Sequence, residues 1–281
     1  MAKLWAVAVT DALKADGLRI AELDTSGLPG FTGDKLSGTA LLAERVLVLS
    51  DLQEKLYANG RSGDRRSVLL VLQGMDTAGK GGIVRHVIGS VDPQGVDHAA
   101  FGVPTAEEKR HHYLWRIREA LPRAGQLGVF DRSHYEDVLV VRVHNLVSRT
   151  VWESRYDEIN AFERELADEG ITLVKVALFV SLDEQKRRLA ARLERPNKYW
   201  KFTPADLDER AFWPAYHEAY QAMLDRTCTE HAPWYVVPAD RKWFARLAVT
   251  ELLIDALGRL DLDWPPPKFD VEEQQRRLTQ L

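Results

Sequence analysis

Cysteine is almost missing from this chain. Cys228 stands alone among 281 residues, which excludes an intramolecular disulfide and fits a reducing compartment. No activating arrangement surrounds it in the sequence, so the thiol reads as a small apolar residue and not as a nucleophile. Long apolar runs are missing as well. No stretch approaches the length needed to cross a bilayer. The apolar start Leu4–Val9 is too short for a signal-peptide core, and Asp11 interrupts it, so a cytoplasmic location is expected. A strong charge bias is also lacking: the net charge is −4 with 28% charged residues, and neither nucleic acid nor a membrane surface is expected as a partner. No histidine pair among the eight present has a zinc spacing.

What the chain has is 45% hydrophobic residues, arranged as short apolar runs that alternate with helical stretches. Ser67–Gln73, Leu127–Phe130, Leu173–Val180 and Trp234–Val237 read as strands buried on both faces of a parallel sheet, with Val96–Phe101 a weaker fifth. Thr105-x-x-Glu108, Thr150-x-x-Glu153 and Ser181-x-x-Glu184 have the form of capping boxes. Thr203-Pro204 puts proline at a first helical position, and a helix is expected over Gly81–Ile88. The pattern predicts an α/β fold with a parallel sheet and helices on both faces. Residues 1–66 read as a helical N-terminal extension, with a helix over Thr39–Tyr57 and a loop over Gly27–Gly38. Residues 67–262 form the core, including a lid over about 183–212, and 263–281 form an extended C-terminal arm.

The strongest chemical signal is Gly74-Met75-Asp76-Thr77-Ala78-Gly79-Lys80. Glycine, four residues, then Gly-Lys is the spacing of a loop whose backbone N–H groups wrap phosphate while the lysine reaches the outer oxygens. A strand before it and a helix after it supply the expected context. The next residue is Gly81, followed by Gly82, where the standard motif has a metal-holding Ser or Thr. Instead the loop carries a carboxylate, Asp76, which a phosphate cradle tolerates only beside a cation. A second carboxylate, Asp131, ends an apolar strand, the place where phosphate-loop enzymes keep a metal ligand. Together they suit Mg²⁺, or Mn²⁺ in its place, with phosphate oxygens completing the ligand set. Arg132 follows with the fork geometry that phosphate accepts, and His134 is expected to reach phosphate through its proximity to Asp131.

A cationic segment is the third signal: Lys186, Arg187, Arg188, Arg192, Arg195, Lys198 and Lys201. Arg188, Arg192 and Arg195 fall at i, i+4 and i+7 on one helix face, with only Glu184 and Glu194 to offset them. Most charged helices are solvated surface, but like charges stacked this way call for a polyanion or a clustered phosphate group. The following Arg195–Lys201 segment reads as an aromatic-anchored tip able to exclude water as a lid.

With these segments assembled, the chain resembles the polyphosphate kinase 2 family over about Leu41–Leu260, on Gly74–Gly82, Asp131–Val140, Trp200–Phe202 and Ala232–Asp240. The resemblance implies a thymidylate-kinase-like fold and Mg²⁺-dependent, reversible phosphoryl transfer between inorganic polyphosphate and adenine nucleotides, AMP and ADP, with guanine nucleotides as further acceptors and a homo-oligomeric protein. It implies that Asp76 and Asp131 hold the metal, that Lys80 and Arg132 bind the transferring group, and that Glu136 sits near the acceptor. It also implies that Arg187, Arg188, Arg192, Arg195 and Lys198 grip phosphates. The chain departs from the family at Gly102, where a basic residue is common in relatives. Two other readings remain open on the residues alone: an ATP-dependent nucleoside monophosphate kinase of the same fold, and a non-catalytic nucleotide-binding module.

Overall fold

A strand that is apolar on both faces has no side to offer to water, so helices must cover it twice. The computed structural model describes residues 4–281, and the first three residues of the expected N-terminal extension lie outside the described residues. Strands β1 (Ser67–Gly74), β2 (Val96–Ala100), β3 (Leu127–Asp131), β4 (Ile171–Phe179) and β5 (Trp234–Pro238) form one parallel sheet in the order β2-β3-β1-β4-β5. The α-helices among the described residues are α1 (Val9–Leu13), α2 (Lys35–Ser62), α3 (Lys80–His86), α4 (Trp115–Glu119), α5 (Val140–Val143), α6 (Arg149–Asp168), α7 (Leu182–Leu193), α8 (Ala205–Asp208), α9 (Trp213–Thr227), α10 (Lys242–Gly258) and α11 (Val271–Thr279). Alternation along β1 sends Val68, Leu70 and Leu72 into a core with α2, α3 and α10, and Leu69 and Val71 into a second core with α6 and α9. The expected α/β class, with a parallel sheet and helices on both faces, is the observed one.

The N-terminal segment joins the first core through Leu13, Phe31, Leu49 and Leu56. Its long helix starts earlier than the spacing predicts. Asp34 caps α2 by accepting from Ser37 N at 2.9 Å, so the loop expected over Gly27–Gly38 ends at Asp34. Gly38 lies inside the helix, and close packing accounts for the glycine, since a Cβ there would come 2.2 Å from Cζ3 of Trp243 on α10. Arg45 then forks onto Glu251 at 2.8 and 2.9 Å, fastening α2 along α10.

Other boundaries move for equally local reasons. Ser148, not Thr150, occupies the N-cap of α6. Pro204 is the residue before α8 and not its first. Thr105 and Glu108 do bond reciprocally, at 2.6 and 3.2 Å, but they brace only a 3₁₀ turn over Glu108–Arg110. Ser181 caps α7 as expected, accepting from Glu184 N at 3.1 Å. The arm is not extended throughout, since Asp270 caps α11 within it, accepting from Glu273 N at 3.0 Å.

One charged residue interrupts the apolar run of β4. Lys175 is fully buried, and its Nζ donates to Glu163 Oε2 at 2.6 Å, to the Tyr135 hydroxyl at 2.8 Å and to the Thr227 carbonyl at 2.8 Å. Three donors meet three acceptors, which is what a buried ammonium requires. Glu163 also accepts from Tyr135 at 2.7 Å and lies 3.2 Å from His134 Nε2. Burial alone would push Glu163 up, but Lys175 and then His134 hold it below the usual carboxylate value. Its contribution to stability is therefore present above the unfolded carboxylate range and is lost as pH falls through the folded value. Lys175→Met should cost about 3–5 kcal/mol by leaving a buried carboxylate unpaired, read as a lowered denaturation midpoint. Lys175→Met combined with Glu163→Leu should recover much of that loss.

Candidate active site

The loop between β1 and α3 folds as a phosphate cradle. Gly79 takes φ +118° and Thr77 φ +65°, backbone conformations that L side chains seldom adopt. The N–H groups of Asp76, Thr77, Gly79, Lys80 and Gly81 make no hydrogen bond among the described residues. Gly74 begins the turn, and Ala78 N closes it on the Met75 carbonyl at 3.0 Å. Lys80 folds back so that Nζ donates to the Gly74 carbonyl. A Cβ on Gly81 or Gly82 would meet nothing within 4 Å. Packing therefore leaves room for a hydroxyl at Gly81, and the chain does without one.

Parallel pairing of β1 with β3 sets Leu72 opposite Asp131, which brings Asp131 beside the loop that carries Asp76. Both carboxylates line one cleft of about 680 Å³. Arg132 adopts φ +66°, an unusual value for a non-glycine residue, and its Nη2 reaches Asp76 Oδ1 at 3.2 Å. Ser133 caps the turn over His134–Asp137, accepting from Tyr135 N at 3.2 Å. Glu136 emerges from that turn toward Arg132. The buried Gln73 amide, with its nitrogen toward the carboxylate, donates to Glu136 Oε1 at 3.0 Å and accepts from Ser133 N at 3.1 Å. Burial raises Glu136 against the opposing pull of Arg132 and Lys80. Burial and then Arg132 lower Lys80, against Asp131, Asp76 and Glu136.

Among the described residues no cluster of three or more protein side chains could hold a metal. Asp76 and Asp131 offer hard oxygen ligands on the open cleft, and the Asp131 carboxylate makes no hydrogen bond among the described residues. This donor set fits a divalent cation whose remaining ligands are phosphate oxygens and water.

Eleven lysine and arginine residues line the cleft against three carboxylates, Asp76, Asp131 and Glu184. The lid segment supplies part of this charge, and its residues divide by partner. Arg187 pairs with Glu184 at 2.9 Å but stays largely exposed, and Arg195 and Lys198 also line the cleft. Arg192 is spent partly on the lid itself, donating to the Lys201 carbonyl at 2.9 Å and to Asp206 at 3.3 Å. Arg195 stands beyond the end of α7 in extended backbone, so it does not continue the helix face of Arg188 and Arg192. Arg188 is only 8% exposed and directs its donors to the protein. Trp200, 77% exposed, and Tyr199, 52% exposed, do not anchor the tip.

His134 is the other departure. It is fully buried against Glu163 and Phe162 and faces away from the cleft, so it offers nothing to phosphate. Reading by motif also misses Arg85 on α3 and Lys242 and Arg246 on α10, all of which line the cleft. The signal was available in the i, i+4 pair Lys242 and Arg246 directly after an apolar strand. At Gly102 a Cβ would meet nothing within 4 Å, and the carbonyl accepts from Arg116 Nη1 at 2.9 Å. A basic residue there would find space.

The cleft cations disturb one another. Burial and then Arg188 lower Lys242, while burial and then Arg246 and Arg85 lower His86. A bound polyanion relieves this repulsion and favours the protonated lysines. Tripolyphosphate affinity, measured by calorimetry at fixed ionic strength, should therefore weaken with rising pH before the ordinary lysine range is reached. The slope in log K should approach about −1 per pH unit for each lysine that deprotonates, and Lys242→Met should reduce that slope.

Comparison with known proteins agrees with the geometry. The profile of the polyphosphate kinase 2 family matches residues 34–263. The AMP/ADP-polyphosphate phosphotransferase of Meiothermus ruber is 48% identical, covering 89% of this chain and 91% of the relative. The ADP-polyphosphate phosphotransferase of Rhodopseudomonas palustris is 42% identical, covering 80% and 81%. The crystal structure of polyphosphate kinase 2 from Arthrobacter aurescens TC1 superposes with a TM-score of 0.96 at 51% identity, covering 99% of this chain and 98% of that one. The chain therefore belongs to the polyphosphate kinase 2 family.

Proposed function

We propose that this protein transfers a phosphoryl group between inorganic polyphosphate and AMP or ADP. The observation that carries the proposal is the charge of the cleft: eleven cations against three carboxylates, continuous from the phosphate loop to α10 and the lid. Such an elongated field suits a flexible polyanion, which has phosphates to grip and no sequence to read.

In this reading the donor chain lies along Arg85, Lys242, Arg246, Arg187, Arg195 and Lys198, with its terminal phosphate in the loop. A phosphate oxygen of the acceptor attacks the terminal phosphorus of the donor. The bridging P–O bond breaks, and polyphosphate leaves one unit shorter with the bridging oxygen as its new terminus. The attacking oxygen is already ionised, so no general base is needed. Lys80, Arg132 and the inward N–H groups meet the charge on the transferring group. Gln73 keeps Glu136 facing Arg132, which steadies the guanidinium on the acceptor side. Asp76 and Asp131 would hold Mg²⁺, or Mn²⁺, which when bound neutralises charge between donor and acceptor phosphates. The anhydrides broken and formed are alike in energy, so the reaction runs both ways.

The same proposal assigns the transfer to residues 67–262, with 183–212 closing over the cleft, 1–66 as packed support and 263–281 as an arm. It includes guanine nucleotides as secondary acceptors, a homo-oligomeric protein and a cytoplasmic setting in keeping with the single Cys228.

Incubation with AMP, polyphosphate and MgCl₂ should yield ADP and then ATP by chromatography, and omission of polyphosphate should abolish both. Equal product with ATP as sole donor would favour a nucleoside monophosphate kinase instead. Asp131→Asn should lower kcat by about 10²–10³-fold, the scale of losing one preorganised charge-stabilising group, with the denaturation midpoint nearly unchanged.

A further inference from the structure

The phosphate loop is braced from outside as well as by its own hydrogen bonds. The carbonyls of Asp76, Thr77 and Ala78 are all taken by side chains of α7. Gln185 Nε2 donates to the Asp76 carbonyl at 3.2 Å, and Arg188 Nη1 donates to the carbonyls of Thr77 and Ala78 at 2.8 and 3.2 Å. The remaining Arg188 donors go to Glu184 Oε1 at 2.7 Å, to the Ala239 carbonyl, and to the Asp240 carbonyl at 3.1 Å. A guanidinium has five N–H groups, and each has a protein acceptor here. Gln185 and Arg188 are 3% and 8% exposed. Between them lies Thr77, a β-branched residue at φ +65°, a conformation that persists only where its surroundings impose it.

Gln185 has a second bond. Its Oε1 accepts from Arg210 Nη1 at 2.6 Å, and Arg210 also donates to the Leu182 carbonyl at 3.2 Å. Arg210 belongs to the limb that returns from the lid to α9. A hydrogen-bonded chain thus runs from the returning limb through Gln185 to the backbone of Asp76.

We propose that Gln185 and Arg188 are positioning residues that impose the conformation of the phosphate loop, and that the Arg210–Gln185 bond ties this conformation to the seat of the lid's returning limb. Arg188 then serves the site through the loop and not as a phosphate ligand. The inference rests on the loop's being the phosphate site, and its primary readout, made without ligand, does not depend on the identity of the donor.

The test uses Gln185→Met, which removes both bonds, Gln185→Glu, which keeps an acceptor for Arg210 but cannot donate to Asp76, and Arg188→Lys. Residue-resolved amide exchange is followed in the ligand-free protein at Ala78, Gly82 and Ile83, whose N–H groups bond to the Met75 and Gly79 carbonyls. All three variants should raise exchange at these amides by roughly fivefold or more, the change expected on losing one hydrogen bond. Exchange along β4 should be unchanged, which separates loop loosening from general destabilisation. In the polyphosphate assay kcat should fall by roughly tenfold to a hundredfold, as for a misplaced reacting group, with KM for polyphosphate changing less and its salt dependence retained. Unchanged exchange at the three amides, or equal acceleration in β4, overturns the proposal. So does an Arg188→Lys variant that raises KM and flattens the salt dependence while the loop amides stay protected, because that marks a direct phosphate ligand.

Discussion

A peptide group that points its N–H into a cleft points its C=O away from it. For the loop between β1 and α3 this constraint decides what must stand behind the cradle. Among the described residues the N–H groups of Thr77 and Gly79 make no hydrogen bond, so the carbonyls of Asp76 and Ala78 on the same peptide groups face protein and need donors there, as does the Thr77 carbonyl between them. The base of α7 supplies them. Arg188 extends the same tie to the end of β5 through Ala239 and Asp240. Loop, α7 and the end of β5 therefore form one hydrogen-bonded unit, and Asp76, one of the two carboxylates of the proposed reaction, sits on it.

Charge is handled in two opposite ways in this molecule. In the second core, Lys175 is buried with every donor satisfied and with its counter-charge, Glu163, at 2.6 Å. That ammonium has no donor left for a ligand. In the cleft, eleven cations share three carboxylates, and burial together with mutual repulsion lowers the proton affinity of Lys80 and Lys242. That excess of positive charge favours an anionic ligand. The contrast separates a structural ion cluster from a binding one on physical grounds, without appeal to position in the chain.

The stretch Asp131–Asp137 illustrates how far a motif can be read. Its residue types announce a polar site at the end of a strand, and two of them, Asp131 and Arg132, do line the cleft, with Glu136 behind Arg132. Ser133, His134 and Tyr135 do not. Ser133 is spent as a cap, while His134 and Tyr135 turn inward to Glu163 and Lys175. A tight turn after a strand sends neighbouring side chains in opposite directions, and linear proximity cannot say which. Lid residues follow the same logic. Cationic character from Arg187 to Lys201 is plain in the sequence, but the backbone acceptors that occupy Arg188 come from two distant segments, the phosphate loop and the end of β5. Lys242 and Arg246 enter the cleft from α10; their i, i+4 spacing marks a cationic face, and the packing of that helix against β1 and β4 shows that it meets the phosphate loop.

By itself the sequence determined the layer structure and the chemistry at its hub. Doubly apolar strands admit only a sheet covered on both faces, and Gly-x4-Gly-Lys after such a strand admits few uses but phosphate. Those are local properties, set by periodicity and by backbone geometry within a few residues. Which cations remain free for a ligand was decided by the tertiary structure alone. That outcome depends on whether each side chain meets an acceptor from another part of the chain, and folding brings those acceptors within 3 Å in some cases and leaves the cleft open in others.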